Sequence, residues 1–156
     1  MNINVIILLV LSVFIIYEDF SNRMINVYVL LFFFLNNIMY WFINFRNYQN
    51  LILNFLFILF ILFVLKFYTF LTKKPITDDL IYGLGIGDIL FFISLSPLFS
   101  SLDFFVFFET GLIFSLIIYF LLRKKWKEKH IPLAGLISLY LIFFFTVINF
   151  NLFYVN

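Results

Sequence analysis

LILNFLFILFILFVLKFYTFL, at Leu51–Leu71, decides the fold of this chain, and Lys66 is its only charged residue. A helix that crosses a bilayer needs about 20 mostly apolar residues, whereas a spanning β-strand needs about 10 residues that alternate in polarity. Because this stretch is long and does not alternate, it predicts a transmembrane helix. Only helices and closed barrels satisfy all backbone polar groups in lipid, and the unbroken apolar run excludes a barrel strand.

The composition extends this conclusion to the whole chain. Of 156 residues, 65% are hydrophobic and 12% are charged, and the mean hydropathy is +1.15. A soluble domain has about half apolar and about a quarter charged residues. The chain therefore has too little polar surface for a water-exposed body and is predicted to lie in a lipid bilayer. It contains no Cys, which excludes disulfides, thiolate metal sites and cysteine nucleophiles.

Five further apolar runs accompany the first one along the chain. The six runs are Ile3–Tyr17, Val27–Ile43, Leu51–Leu71, Ile81–Leu98, Phe104–Leu122 and Pro132–Phe153. Each is close to the length of a spanning helix, and no linker is long enough to separate a second domain. We therefore expect an all-α, polytopic membrane protein, with residues 1–156 forming one domain as a bundle of about six transmembrane helices.

The basic residues predict the orientation in the membrane. Nine of the ten lie on or near the first, third and fifth connections: Arg23, Lys66, Lys73, Lys74, Arg123, Lys124, Lys125, Lys127 and Lys129. Because cytoplasmic loops are enriched in Lys and Arg, we expect these connections in the cytosol and both termini outside the plasma membrane. The run 123–129 is either a topology anchor or a surface that attracts anionic lipid or a partner.

Two acids fall at the cytosolic face in this topology. Asp19 lies at the end of the first helix and Asp88 in the first turns of the fourth. Two carboxylates in a partly dry site do not both ionise easily, so they share a proton. One can then act as a base toward water while the other acts as an acid toward a carbonyl oxygen. This is the chemistry of an aspartic protease.

Glycines precede the second acid in GLGIGD, at Gly83–Asp88. Glycine tolerates backbone conformations that other residues avoid, and it allows close approach of another chain. Gly85 and Gly87 are therefore candidate substrate-binding residues that leave room for an extended peptide. The alternative is a helix-packing surface, with Asp88 stabilised simply by its place at a helix N-terminus.

Three segments together resemble the type IV prepilin peptidases and the archaeal preflagellin peptidases. GIGD at Gly85–Asp88 is similar to the family's G-x-G-D motif, and DFSNRMIN at Asp19–Asn26 is similar to the segment that follows its first catalytic Asp. KHIPLAGLISLYL at Lys129–Leu141 resembles the start of its last helix. The resemblance implies a membrane aspartic endopeptidase that uses Asp19 and Asp88, without a cofactor, to remove the basic leader of a prepilin-like, single-helix membrane substrate.

The chain departs from the family pattern at a few positions. Leu90 stands where the family often has Lys, the Pro between Ile25 and Asn26 is missing, and Gly135 replaces the second Pro of the last motif. These changes bear on the choice of substrate more than on the reaction. The first connection is short and lacks the Cys-rich insert of the large bacterial members. The resemblance therefore implies a compact peptidase without N-methyltransferase activity.

The other polar residues indicate no second chemistry. His130 is the only His and has no ligand-type neighbour at metal spacing, so we expect no metal site. No phosphate-binding or nucleic-acid-binding motif occurs, so no nucleic acid partner is expected. We expect Asn36 and Asn37 to form interhelical hydrogen bonds, and Glu18 to lie at the membrane interface.

A second hypothesis for the same acids comes from a different class of protein. The chain could be a non-enzymatic membrane component, such as a small transporter subunit or an assembly factor, in which Asp19 and Asp88 are structural or handle ions. Transporters more often place acids or broken helices near the bilayer midplane. The position of both acids at one face favours the protease.

Overall fold

The computed structural model describes residues 3–44, 47–72, 85–122 and 131–154. Its elements are α1 (Ile3–Asn22), α2 (Val27–Asn44), α3 (Tyr48–Thr72), α4 (Ile86–Leu95), the 3-10 turn Ser96–Leu98, α5 (Ser101–Leu122) and α6 (Leu133–Tyr154). These ranges contain no β-strand. The all-α fold predicted from the sequence is confirmed.

Among the residues that the structure describes, four helical segments are long and apolar enough to cross a bilayer: Ile3–Asn22, Val27–Asn44, Tyr48–Tyr68 and Ser101–Leu122. In the fourth predicted run, Ile81–Leu98, residues 81–84 lie outside the described ranges, and α4 and its 3-10 turn together cover Ile86–Leu98. At about 1.5 Å per residue, this segment falls short of a hydrocarbon core about 30 Å thick. Pro97, which has no N–H to donate, lies in the turn that ends the α-helix.

One face of α1 is buried along its length. Its buried residues are Val5, Leu8, Ser12, Ile15 and Asp19. They recur every three or four positions and therefore lie on one side of the helix. This side packs against α6 and α2. The same periodicity that packs α1 thus carries the Asp19 carboxylate into the bundle.

The buried carboxyl end of α4 is fixed by two asparagines from neighbouring helices. Asn37 of α2 donates its Nδ2 to the carbonyl of Ser94 over 2.8 Å. Asn54 of α3 donates to the carbonyls of Ser96 and Phe99 over 2.8 and 3.1 Å. Unsatisfied carbonyls are costly in an apolar interior, so these bonds stabilise the end of the short helix.

Helix α2 also joins the two helices that carry the acids. Asn36 donates its Nδ2 to the carbonyl of Asn4 in α1 over 3.1 Å, and Phe33 stacks on Phe91 of α4 with ring centroids 5.9 Å apart. The interhelical hydrogen bonds predicted for Asn36 and Asn37 are therefore confirmed. Helix α4, which carries Asp88 in its first turn, is thus fixed at its other end by α2 and α3 and packs on α2 through Phe91.

Candidate active site

Asp19 lies one turn before the end of α1 and is 6% exposed. The helix stops at Asn22 because Arg23 adopts a left-handed conformation with φ of 53°. A left-handed residue is a common helix terminator, although the position is usually occupied by glycine. The turn brings Arg23 to the wall of the cavity that also contains Asp19.

The turn from α1 to α2 is closed by Glu18 and Asn26. The carboxylate of Glu18 accepts a hydrogen bond from the main-chain N–H of Asn26 over 2.8 Å. The side-chain oxygen of Asn26 accepts from the N–H of Tyr28 over 2.9 Å and so caps the start of α2. Glu18, which the sequence predicts at the membrane interface beside Asp19, therefore fixes this turn.

Asp88 lies in the first turn of α4. Its Oδ2 accepts a hydrogen bond from the main-chain N–H of Gly85 over 3.2 Å, which is the carboxylate half of a capping box. This hydrogen bond is expected if GLGIGD is only a helix-packing surface, because a carboxylate is favoured at a helix N-terminus. Capping alone does not account for the other oxygen of Asp88.

Both carboxylates are held by consecutive main-chain N–H groups in the first turn of α6. Ala134 donates to Oδ1 of Asp88 over 3.1 Å, and Gly135 donates to Oδ2 of Asp19 over 2.6 Å. The first N–H groups of a helix have no partner within the helix, and they carry its positive dipole end. The start of α6 therefore draws an acid from α1 and an acid from α4 into one site.

Gly135 has no room for a side chain. A Cβ atom there would lie 3.0 Å from two ring carbons of Phe20 and 3.1 Å from Oδ2 of Asp19. Such distances are tighter than van der Waals contact, so α6 approaches α1 this closely because position 135 is glycine. The sequence identified Gly135 only as a departure from a family motif, and its contact with Asp19 was missed.

A cavity of about 360 Å³ opens beside the two acids. It is lined by Asp19, Arg23, Met24, Ile25, Val27, Gly85, Ile86, Gly87, Asp88 and Leu90. The four residues singled out by the sequence, the two acids and the two glycines, therefore lie on the wall of one cavity. The polar groups of this wall belong to the acids, to Arg23 and to the main chain of α4's first turn.

The two glycines line this cavity, and neither needs an unusual backbone conformation. Gly85 has φ of −70° and ψ of 156°, which any residue can adopt. A Cβ atom at Gly87 would lie 3.6 Å from Cδ1 of Ile25, which is ordinary contact. The expectation that these glycines leave room beside Asp88 agrees with the cavity, whereas the expected need for backbone freedom does not.

The arrangement can perform acid–base chemistry on a water molecule. Two carboxylates that share one site are most stable when they hold a single proton between them, which leaves one base and one acid. Within the described ranges, no three His, Cys, Asp or Glu side chains lie close enough together to hold a metal ion.

Some sequence predictions concern residues that the structure does not describe. These are Gly83, Arg46, Lys73, Lys74, the basic run 123–129 and His130. The predicted cytosolic face depends on most of them, and it remains a prediction.

Comparisons with known proteins add no identification. No family model, curated protein or solved structure matches this chain. A functional hypothesis therefore rests on the local geometry of the two acids and on the three sequence motifs.

Proposed function

We propose that this protein is a membrane aspartic endopeptidase with Asp19 and Asp88 as its catalytic pair. One observation carries the proposal: acids from α1 and α4 accept hydrogen bonds from the consecutive N–H groups of Ala134 and Gly135, at the wall of an open cavity. A merely structural pair of acids would not need a cavity beside it. An aspartic protease needs the pair of acids and an open cavity beside it, because water and a peptide bond must reach the carboxyl groups.

The proposed reaction is a hydrolysis that needs no cofactor. The ionised carboxylate removes a proton from a water molecule, and the water oxygen attacks the carbonyl carbon of the scissile bond. The protonated partner gives its proton to the carbonyl oxygen. When the tetrahedral intermediate collapses, the C–N bond breaks, the leaving amine takes up a proton from the pair, and one hydroxyl of the intermediate returns its proton to the pair. The products are a carboxylic acid and an amine, and the pair again holds one proton.

The three motifs support a prepilin-like substrate. Such a substrate has a basic leader, which the positive-inside rule keeps in the cytosol, and an apolar helix that remains in the bilayer. The end of α1 and the starts of α4 and α6 meet at one end of the bundle, which suits a cut at the membrane boundary. We place this end at the cytosolic face of the plasma membrane.

The cut itself requires an extended stretch of substrate, because a helical peptide bond is enclosed by its own hydrogen-bond ladder. A glycine immediately before the scissile bond makes this local unwinding easy. The side-chain-free positions Gly85 and Gly87 leave space for the extended backbone beside Asp88. We therefore propose cleavage directly after a substrate glycine.

The proposal is tested with the purified protein in lipid nanodiscs and a synthetic substrate. The substrate carries a Lys-rich leader, one glycine and an apolar helix of about 20 residues. Wild type should release the leader, and Asp19→Asn and Asp88→Asn should each abolish release. Asp103→Asn is the matched control, since Asp103 is an exposed acid in the first turn of α5 that bonds to Ser100.

The outcome also separates the two hypotheses for these acids. If the folded wild-type protein leaves the substrate and a panel of leader sequences intact, the peptidase hypothesis is wrong. The hypothesis of a non-enzymatic membrane component is then retained. Equal cleavage by wild type and Asp88→Asn would show that other residues cut the substrate.

A further inference from the structure

The fully buried contacts of helix α3 lie in the first half of its length, and Ile61 and Leu62 pack against the core as partly buried residues. Its buried residues are Asn54 and Ile58, and Asn54 makes the two hydrogen bonds to the end of α4. Phe57 adds edge-to-face contacts with Phe104 and Phe108 of α5, with ring centroids 6.1 and 5.5 Å apart. Of the side chains that the structure describes beyond Ile58 in this helix, none is buried.

The second half of α3 borders an apolar cavity of about 200 Å³. Its lining residues are Ile58, Ile61, Leu62, Leu65, Ile89, Phe92, Phe108, Leu112 and Leu133. Every one of these side chains is aliphatic or aromatic. The cavity therefore separates α3 from α4, α5 and the start of α6 by a cleft with no polar side chain in its wall.

This cleft adjoins the same two helix starts that hold the acids. Ile89 directly follows Asp88 in α4, and Leu133 directly precedes Ala134, whose N–H bonds to Asp88. The first turns of α4 and α6 thus contribute to two cavities of opposite character. One contains both carboxylates and Arg23, and the other is wholly apolar.

We propose that the cleft between α3 and the α4–α5 pair is the docking surface for the apolar helix of the substrate. This inference rests on the proposed peptidase function. A peptide cut at a membrane boundary is polar on one side of the scissile bond and apolar on the other, and the two cavities match these two sides. Because a helix is about 10 Å wide with its side chains, the substrate helix lies along the lipid side of the cleft and seats a large apolar side chain in the cavity.

The contacts of α3 beyond Ile58, which are only partly buried, support this choice over a fixed interface. A segment with few buried contacts can shift at small cost, whereas the Asn54 bonds hold the first half in place. Substrate can therefore enter from the bilayer beside Leu62 and Leu65 without disturbing the packing at Phe57. The competing occupant of the same cleft is a lipid acyl chain, and the first experiment distinguishes the two.

The first experiment is site-specific photo-crosslinking in the Asp88→Asn background, which keeps the substrate uncut. The photoreactive residue p-benzoylphenylalanine is placed at Leu62, which lines the cavity, or at Phe60, which is 63% exposed two positions away. We expect capture of the synthetic single-helix substrate from position 62 and not from position 60. Equal capture from both positions, or adducts with lipid alone at position 62, overturns the proposal.

The second experiment fills the cavity in the active protein. Leu112→Trp should raise the KM for the synthetic single-helix substrate by at least about tenfold, because a large apolar side chain loses its burial site. A short peptide that spans the cut but lacks the apolar helix should be cleaved as by wild type. Ile117→Trp is the control, since Ile117 is 52% exposed on the same helix.

The two kinds of failure are distinguishable. If wild type cuts neither the helix substrate nor the short peptide, the proposed function is wrong. If wild type cuts both, and Leu112→Trp still processes the helix substrate with an unchanged KM, the docking surface is wrong and the catalytic pair is unaffected.

Discussion

The main-chain N–H of Gly135 lies 2.6 Å from Oδ2 of Asp19, and no atom could be added to the α-carbon of that glycine without meeting the same carboxylate. A Cβ atom would lie 3.1 Å from Oδ2. The hydrogen bond and the missing side chain therefore depend on one close approach of α6 to α1. The same approach brings Ala134 within reach of Asp88.

Gly135→Ala should reduce kcat for the synthetic substrate by at least about tenfold, because a small displacement of a catalytic group has a large effect on rate. The measurement is leader release by protein in nanodiscs, with folding checked by size-exclusion chromatography. Gly111→Ala is the matched control, since a Cβ there would meet Tyr140 at an ordinary 3.5 Å. A Gly135→Ala enzyme with wild-type kcat would contradict the tight-approach explanation.

The two acids should behave as one unit. Asp19→Asn and Asp88→Asn should each remove cleavage almost completely, and the double variant should be no worse than either single one. The rate of wild type should fall at both low and high pH, because one carboxyl group must be ionised and its partner protonated. Independent, additive losses in single-turnover assays would mean that the pair does not share a proton.

Gly87 should tolerate alanine better than valine. An alanine Cβ would lie in ordinary contact with Ile25, at 3.6 Å, whereas the branched side chain of valine would extend into the cavity beside Asp88. We expect Gly87→Ala to retain most of the cleavage rate and Gly87→Val to lose most of it, with both proteins inserted and folded. Comparable rates for the two variants would show that substrate does not occupy this side of the cavity.

Asn26→Ala should destabilise the protein by about 1 kcal/mol, because it removes the side-chain cap from the first turn of α2. Asn26→Ser should recover most of the loss. Thermal unfolding in detergent measures both, and Asn44→Ala serves as a control, since the Asn44 side chain bonds back to the carbonyl of Tyr40 in its own helix. If Asn26→Ala unfolds at the wild-type temperature, the cap is not needed to hold the α1–α2 turn.

The orientation can be read with single cysteines, because the natural chain has none. Ser21→Cys, near the end of α1, should be shielded from an impermeant thiol reagent added to intact cells. Asn47→Cys, just before α3, should react with it. Labelling of Ser21→Cys from outside would place the acids on the opposite face from the predicted cytosolic one.

Much of the helical framework could be predicted from hydropathy, because long unbroken apolar runs allow one kind of structure in lipid. The run Val27–Ile43 differs from α2 (Val27–Asn44) by a single residue. In the fourth run, the apolar letters continue through Pro97, whereas the α-helix ends at Leu95. The asparagines that stabilise this end of α4 lie on other helices.

The candidate site was predictable where side chains carry the chemistry. Asp19 and Asp88 are acids in apolar surroundings, and charge counting places them at one face. The groups that hold them are main-chain N–H groups of Ala134 and Gly135, which every residue except proline possesses. A backbone donor has no signature in sequence, so only the tertiary approach of α6 identifies it.

The two acids accept hydrogen bonds from adjacent peptide units of α6, and this affects how the pair responds when the helices around it move. Bilayers differ in thickness and tension, and helices such as α1 and α4 tilt or slide in response. One helical turn of α6 holds both carboxyl groups through adjacent N–H groups. We therefore expect the geometry at Asp19 and Asp88 to depend more on the start of α6 than on the thickness of the surrounding bilayer.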